Sequence, residues 1–213
     1  MDKVKKLEDY VINIPDFPKP GIIFRDITLI LRDPEGLKLS VHELMHCLEG
    51  TEFDVVVGAE SRGFLFGMPL AYNKSKGFVP VRKKGKLPRE TVSREYALEY
   101  GTAEIEIHKE DIRPGQRVVF VDDLLATGGT AKAAIDLIEQ LGGVVVKVLF
   151  VMELQGLHGR DALKGYSETQ FFFLENFLLN YKNRKNDSCL QFFCLNPSFC
   201  FTKTEKWSIM KYT

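Results

Sequence analysis

Val118 to Val121 form an unbroken apolar run, and Thr130 to Ile138 follows with an apolar face at helical spacing, so a buried strand feeds a helix. The same alternation recurs upstream. Pro34 to Leu48 and Arg62 to Tyr72 carry helical spacing, Phe53 to Val57 and Phe78 to Val81 are apolar strands, and Ala103 to Ile107 alternates with period two. Val144 to Phe150 supplies a further β-branched strand. At the start, Val4, Leu7, Tyr10 and Val11 predict a short helix over Asp2 to Ile12, which ends before the proline-rich turn Pro15 to Gly21. Strands alternating with helices predict an α/β fold, a doubly wound and mostly parallel sheet.

Small residues mark where chemistry belongs. Asp122 and Asp123 follow the apolar strand and are expected at its end. Ala126-Thr127-Gly128-Gly129-Thr130 then opens the helix. In open α/β sheets ligands bind beyond the carboxyl ends of strands, and a helix N-terminus presents unpaired N–H groups to an anion. The glycines admit close approach of a phosphate, Thr127 and Thr130 add hydroxyl donors, and the two carboxylates suit vicinal hydroxyls of a ribose. No G-x-x-x-x-G-K-[ST] occurs, and no G-x-G-x-x-G follows a strand.

This run resembles the phosphoribosyl pyrophosphate (PRPP) motif of the type I phosphoribosyltransferases: an apolar strand, two acids and a Thr-Gly-Gly-Thr turn. The resemblance extends to Glu60-Ser61-Arg62, after the second strand, as a pyrophosphate loop in which one peptide is expected to be cis. It implies that Arg62 grips phosphate oxygens with two hydrogen bonds. Ala59 to Gly63 also fits a nucleophile elbow with an exposed Ser61, but the first glycine of that motif is missing and neither His108 nor His158 stands in a triad context. Val81 to Lys86 gathers four cations beside Gly85; alone it reads as a solvated turn, and the resemblance assigns Arg82, Lys83 and Lys86 to pyrophosphate while leaving Lys84 to solvent.

Residues 87–102 are polar and predict a mobile lid loop that excludes water. Tyr96 to Gly101 resembles adenine phosphoribosyltransferases in particular, which implies that Glu99 manages a purine proton and that Tyr100 helps close the site. Phe17 to Thr28 resembles the N-terminal hood of the same enzymes: Phe24 would stack on adenine, Ile23 and Arg25 would present main-chain groups to it, and Leu154 would pack on its other face. The implied reaction makes AMP and pyrophosphate from adenine and PRPP in purine salvage. Mg²⁺ is the expected cofactor, held mainly by PRPP with no direct protein ligand. A homodimer is the expected assembly. The alternatives are another purine base, or a PRPP-binding regulator or catalytically silent splice variant of the same fold.

Charge and composition then narrow the setting. With 213 residues and 45% hydrophobic composition, one substantial core is affordable, and 29 basic against 29 acidic residues offer no general attraction to nucleic acid or membrane. No run of 18 apolar residues and no apolar leader region is present, so a cytoplasmic protein is expected. The resemblance covers residues 1–166, with the hood reaching to about residue 30. Ser167 to Thr213 departs from it, with a Phe, Asn, Lys and Cys bias like that of an alternative exon or translated non-coding sequence. Phe171 to Phe173 is a candidate final edge strand, whereas Cys189, Cys194 and Cys200 match no zinc spacing.

Overall fold

The computed structural model describes residues 6–17, 20, 23–97, 102–166 and 169–171. A 3₁₀ turn at Leu7–Tyr10 leads into β1 (Ile12–Pro15), which pairs antiparallel with β2 (Ile23–Asp26). Of the helix expected over Asp2 to Ile12, the described part, from residue 6 onward, is one turn, and residues 2–5 lie outside the described residues. Leu7 and Tyr10 are buried as helical spacing requires, but Val11, Ile12, Ile14 and Pro15 favour extended backbone and take the chain into a hairpin.

Next come α1 (Thr28–Arg32), α2 (Pro34–His46), β3 (Val55–Ala59), α3 (Arg62–Asn73) and β4 (Gly77–Lys83). Asp33 caps α2, its carboxylate accepting from the amides of Glu35 and Gly36, with Pro34 at the first helical position. β5 (Thr91–Ala97), β6 (Thr102–His108), β7 (Arg117–Leu125), α4 (Gly129–Gln140), β8 (Val144–Glu153), α5 (Gly159–Ala162) and β9 (Thr169–Phe171) complete the order. The main sheet runs β5-β6-β4-β3-β7-β8-β9. Its β4-β3-β7-β8-β9 part is parallel, and β6 and β5 join antiparallel at one edge, in agreement with the mostly parallel expectation.

Alternation along the central strands divides the core into two layers. Val57, Phe120 and Phe150 face α4, whereas Val56, Val119, Val121 and Leu149 face the layer that contains Leu44, Phe66 and Leu70. This fixes the strand ends, and with them the loops after β3, β4 and β7, on one rim of the sheet.

Three expectations change. Asp122 and Asp123 lie inside β7, which runs on to Leu125, so the strand carries the acids rather than stopping before them. Much of the expected lid loop is an antiparallel hairpin: Val92 and Tyr96 pack on the core and polar residues alternate with them, a period that polar composition conceals. The edge strand begins earlier than expected, at Thr169, and is described as far as Phe171, with 172–173 outside the described residues; it extends the sheet past residue 166. Cys189, Cys194 and Cys200 lie outside the described residues.

Candidate active site

Two neighbouring strands deliver the site. β3 and β7 pair in parallel with Gly58 opposite Val121, so the loop after β3 stands beside the acids of β7. The Glu60–Ser61 peptide is cis, as the resemblance implies. Arg62 opens α3, and its Nε lies 2.8 Å from Oδ2 of Asp123, a residue only 5% exposed. The approach is that of an ion pair, and among the described residues Oδ2 has no hydrogen-bond donor. Gly63 makes the closeness possible: a Cβ there would stand 2.8 Å from the Val121 carbonyl oxygen and 3.0 Å from Asp122 Oδ1. Only glycine lets the start of α3 seat this near the carboxylates.

Asp122 Oδ1 accepts from the Asp123 amide at 2.9 Å. Burial, then the adjacent Asp123 charge, raises the Asp122 pKa well above the ordinary carboxylate value. Burial also raises Asp123, against the pull of the Arg62 guanidinium. A cationic or hydroxyl-bearing ligand would relieve this pair by supplying the charge or donors it lacks.

The turn from Ala126 to Thr130 is held from behind. Gly128 is left-handed at φ +83° and caps α4; a Cβ on it would meet the Gly159 carbonyl oxygen at 2.6 Å, and one on Gly159 would meet the Ala126 carbonyl oxygen at 2.3 Å. Arg160 next to Gly159 donates to both carboxylate oxygens of buried Glu153, at 2.8 to 3.0 Å, which pins α5 against the end of β8. The loop thus rests on a clamped glycine contact, and Thr127 and Gly129 line a cavity of about 400 Å³ with Arg94, Tyr96, Lys132 and Asp136. Thr130 donates from its hydroxyl to the Tyr96 hydroxyl at 3.1 Å, joining β5 to the loop.

The basic turn sorts its own cations. Glu60 accepts from Arg82 Nε at 3.2 Å and Nη2 at 3.4 Å and from the Lys83 amide at 2.9 Å, so Glu60 and Arg82 form one unit. Lys84, expected to face solvent, is exposed, and its Nζ reaches the hairpin, donating to Ser93 Oγ at 2.9 Å and lying 3.5 Å from Glu104. The nearby carboxylates of β6 draw it there. Among the described residues Lys83 and Lys86 have no ion-pair partner. Ser61, the alternative nucleophile, makes no side-chain hydrogen bond among the described residues, and the Nδ1 of His108 is buried without a partner.

On the base side, Leu154 is buried one residue past β8, its amide donating to the Leu125 carbonyl oxygen at 2.9 Å. That sets it one strand across from Asp122 and Asp123. Phe24 meets Phe17 edge-on, with centroids 5.3 Å apart; Ile23 is 40% exposed, and buried Arg25 donates to Asn13 across the hairpin. These hood contacts stay within the hairpin and do not themselves reach Asp122 or Leu154. Glu99 and Tyr100 lie outside the described residues.

Three contributors escape the sequence reading. Gly159 and the Glu153–Arg160 clamp show no motif, and Glu106 is hidden as one polar residue in an alternating strand, although it lies directly across from Arg82.

Residues 31–173 match the phosphoribosyl transferase domain family. An adenine phosphoribosyltransferase of Lachnoclostridium phytofermentans is 64% identical over 163 residues, which cover 76% of this chain and 94% of that relative. The crystal structure of the adenine phosphoribosyltransferase from Thermoanaerobacter pseudethanolicus matches with a TM-score of 0.75 at 53% identity, covering 79% of this chain and 99% of that one. The Saccharomyces cerevisiae enzyme, solved with an imino-altritol bisphosphate and adenine, matches at 0.72 and 42% identity, covering 78% of this chain and 95% of that one. The chain belongs to the phosphoribosyl transferase family, among the adenine phosphoribosyltransferases.

Proposed function

We propose that this protein transfers the ribose 5-phosphate of PRPP to N9 of adenine, releasing pyrophosphate and making AMP for purine salvage. The observation that carries the reading is the meeting of Arg62 with Asp123, which joins an anion loop to the ribose acids across neighbouring strands. The similarity to adenine phosphoribosyltransferases, one of them solved with adenine bound, supports the choice of base.

The C1–O bond breaks with its electron pair leaving on pyrophosphate while N9 forms the new bond to C1. Arg62, Arg82, Lys83 and Lys86 oppose the charge growing on the leaving group. Asp122 and Asp123 accept from the ribose hydroxyls and face a sugar gaining positive charge. The amides and hydroxyls of Ala126 to Thr130 hold the 5′-phosphate. Glu99 takes the purine proton, and Tyr100 helps close the site. Ile23, Phe24, Arg25 and Leu154 enclose adenine.

Asp123 Oδ2, which has no donor among the described residues, and its neighbour Asp122 fit a ligand that brings a cation with it. Mg²⁺ carried on PRPP oxygens would add positive charge beside the leaving pyrophosphate. AMP formation from adenine and PRPP, followed with Mg²⁺ and with EDTA, tests the reading. Metal-dependent turnover is expected, and full turnover in EDTA would remove the metal from it.

A homodimer belongs to the same proposal. Leu65, Met68 and Tyr72, spaced along one stripe of α3, are 45%, 51% and 83% exposed, which supports a covered face. Light scattering at the mass of two chains is the expected result. Among the described residues no helix is long and apolar enough to cross a membrane. The proposal places the enzyme in the cytoplasm, and fractionation checks that placement.

A further inference from the structure

Glu106 is 2% exposed, yet its carboxylate serves the exposed basic turn rather than the core. Oε1 accepts from the amides of Lys86 and Leu87, both at 2.9 Å. Oε2 accepts from the hydroxyl of Thr91, the first residue of β5, at 3.1 Å, and lies 3.9 Å from Lys84 Nζ. On the backbone Glu106 stands directly opposite Arg82, whose Nη1 donates to the Lys86 carbonyl oxygen at 3.4 Å. One buried acid therefore ties both ends of the segment from Lys86 to Thr91.

We propose that Glu106 is a positioning residue for pyrophosphate: by holding the Lys86 and Leu87 amides and Thr91, it presents the Lys86 ammonium, which has no ion-pair partner among the described residues, to the leaving group and roots the lid hairpin beside it. The proposal rests on the PRPP reading of the basic turn.

Burial alone would raise the Glu106 pKa, but the Leu87 amide, Thr91 hydroxyl, Lys86 amide and Lys84 charge hold it below the ordinary glutamate value. It is ionised at neutral pH, and hydrogen bonds to an ionised acceptor are the strong kind. Glu60 does the corresponding work for Arg82. The two acids divide the turn: Glu60 fixes the end on β4, and Glu106 fixes the end that returns to β5. Neither uses its charge to neutralise Lys83 or Lys86, so both ammonium groups remain available to an anion.

E106Q, K86A and their double variant test this by steady-state kinetics. E106Q keeps one oxygen for the two amides but loses the charge and the acceptor of Thr91; E106A loses everything. The expected KM for PRPP rises about fivefold in E106Q and more than about tenfold in E106A, with the KM for adenine within about twofold of the parent. In the K86A background E106Q should add no more than about twofold, because the carboxylate acts through that lysine. Equal rises in both KM values, a fall in kcat alone, or full additivity with K86A would overturn the proposal. If E106A does not fold, E106Q and the double variant decide. K86A with an unchanged KM for PRPP would sink the pyrophosphate reading, and this proposal with it. A normal K86A effect beside a silent E106Q would sink only the role of Glu106.

Discussion

Arg62 Nε lies 2.8 Å from Asp123 Oδ2, so the cation that opens α3 and an acid of β7 form one unit. Each neutralises part of the other where a sugar phosphate would need both charges. For D123N we expect kcat/KM for PRPP to fall about 10²- to 10³-fold, since the proposed role sets this carboxylate against the reacting sugar, while the far-UV circular dichroism stays that of the parent. Unchanged kinetics would discredit the ribose role.

Asp122 should show the opposite balance between activity and stability. Its pKa is raised in the folded protein, so the fold favours a proton that the unfolded chain has already released. The stabilising contribution of the protonated group is complete below the unfolded carboxylate pKa and is lost as pH rises through the raised folded value. D122N cannot ionise and keeps an oxygen for the Asp123 amide. Its Tm should exceed that of the parent at pH 8 by about 2–8 °C, and the gap should close towards pH 4. A gap that does not depend on pH would contradict the assignment.

The loop after β7 depends on glycine at two facing positions. G128A forces a side chain into left-handed backbone and against the Gly159 carbonyl oxygen, while G159A drives one into the Ala126 carbonyl oxygen. Each should cost about 1–3 kcal/mol in a denaturant titration and raise the KM for PRPP. Because the two sites touch, the double variant should cost less than the sum of the singles. Strict additivity would show that they act separately.

Much of the fold and of the site is legible in the residues themselves. The run from Val118 through Thr130 announced a strand, two acids and a phosphate turn because each part has its own local chemistry. Tyr96 was harder to place: β5 hides its period behind Ser93, Arg94 and Glu95, and its pairing with β6 is a contact between segments. Glu106 was invisible for a related reason. Alternation assigns it to solvent, but this end of β6 is buried on both faces, and only the return of the basic turn supplies its donors. The strand at Ile12–Pro15 shows the converse, since helical spacing at Leu7 and Tyr10 is real but does not carry the helix past Tyr10.

The central claim is that the rim of this sheet transfers ribose 5-phosphate from PRPP to adenine, and pyrophosphate release from PRPP and Mg²⁺ measured in parallel with adenine, hypoxanthine, guanine and orotate tests it most directly. Release with adenine alone is the predicted result. Turnover on hypoxanthine without adenine would contradict the choice of base, and silence on all four would contradict the enzyme, leaving a PRPP-binding regulator or a silent variant of the fold.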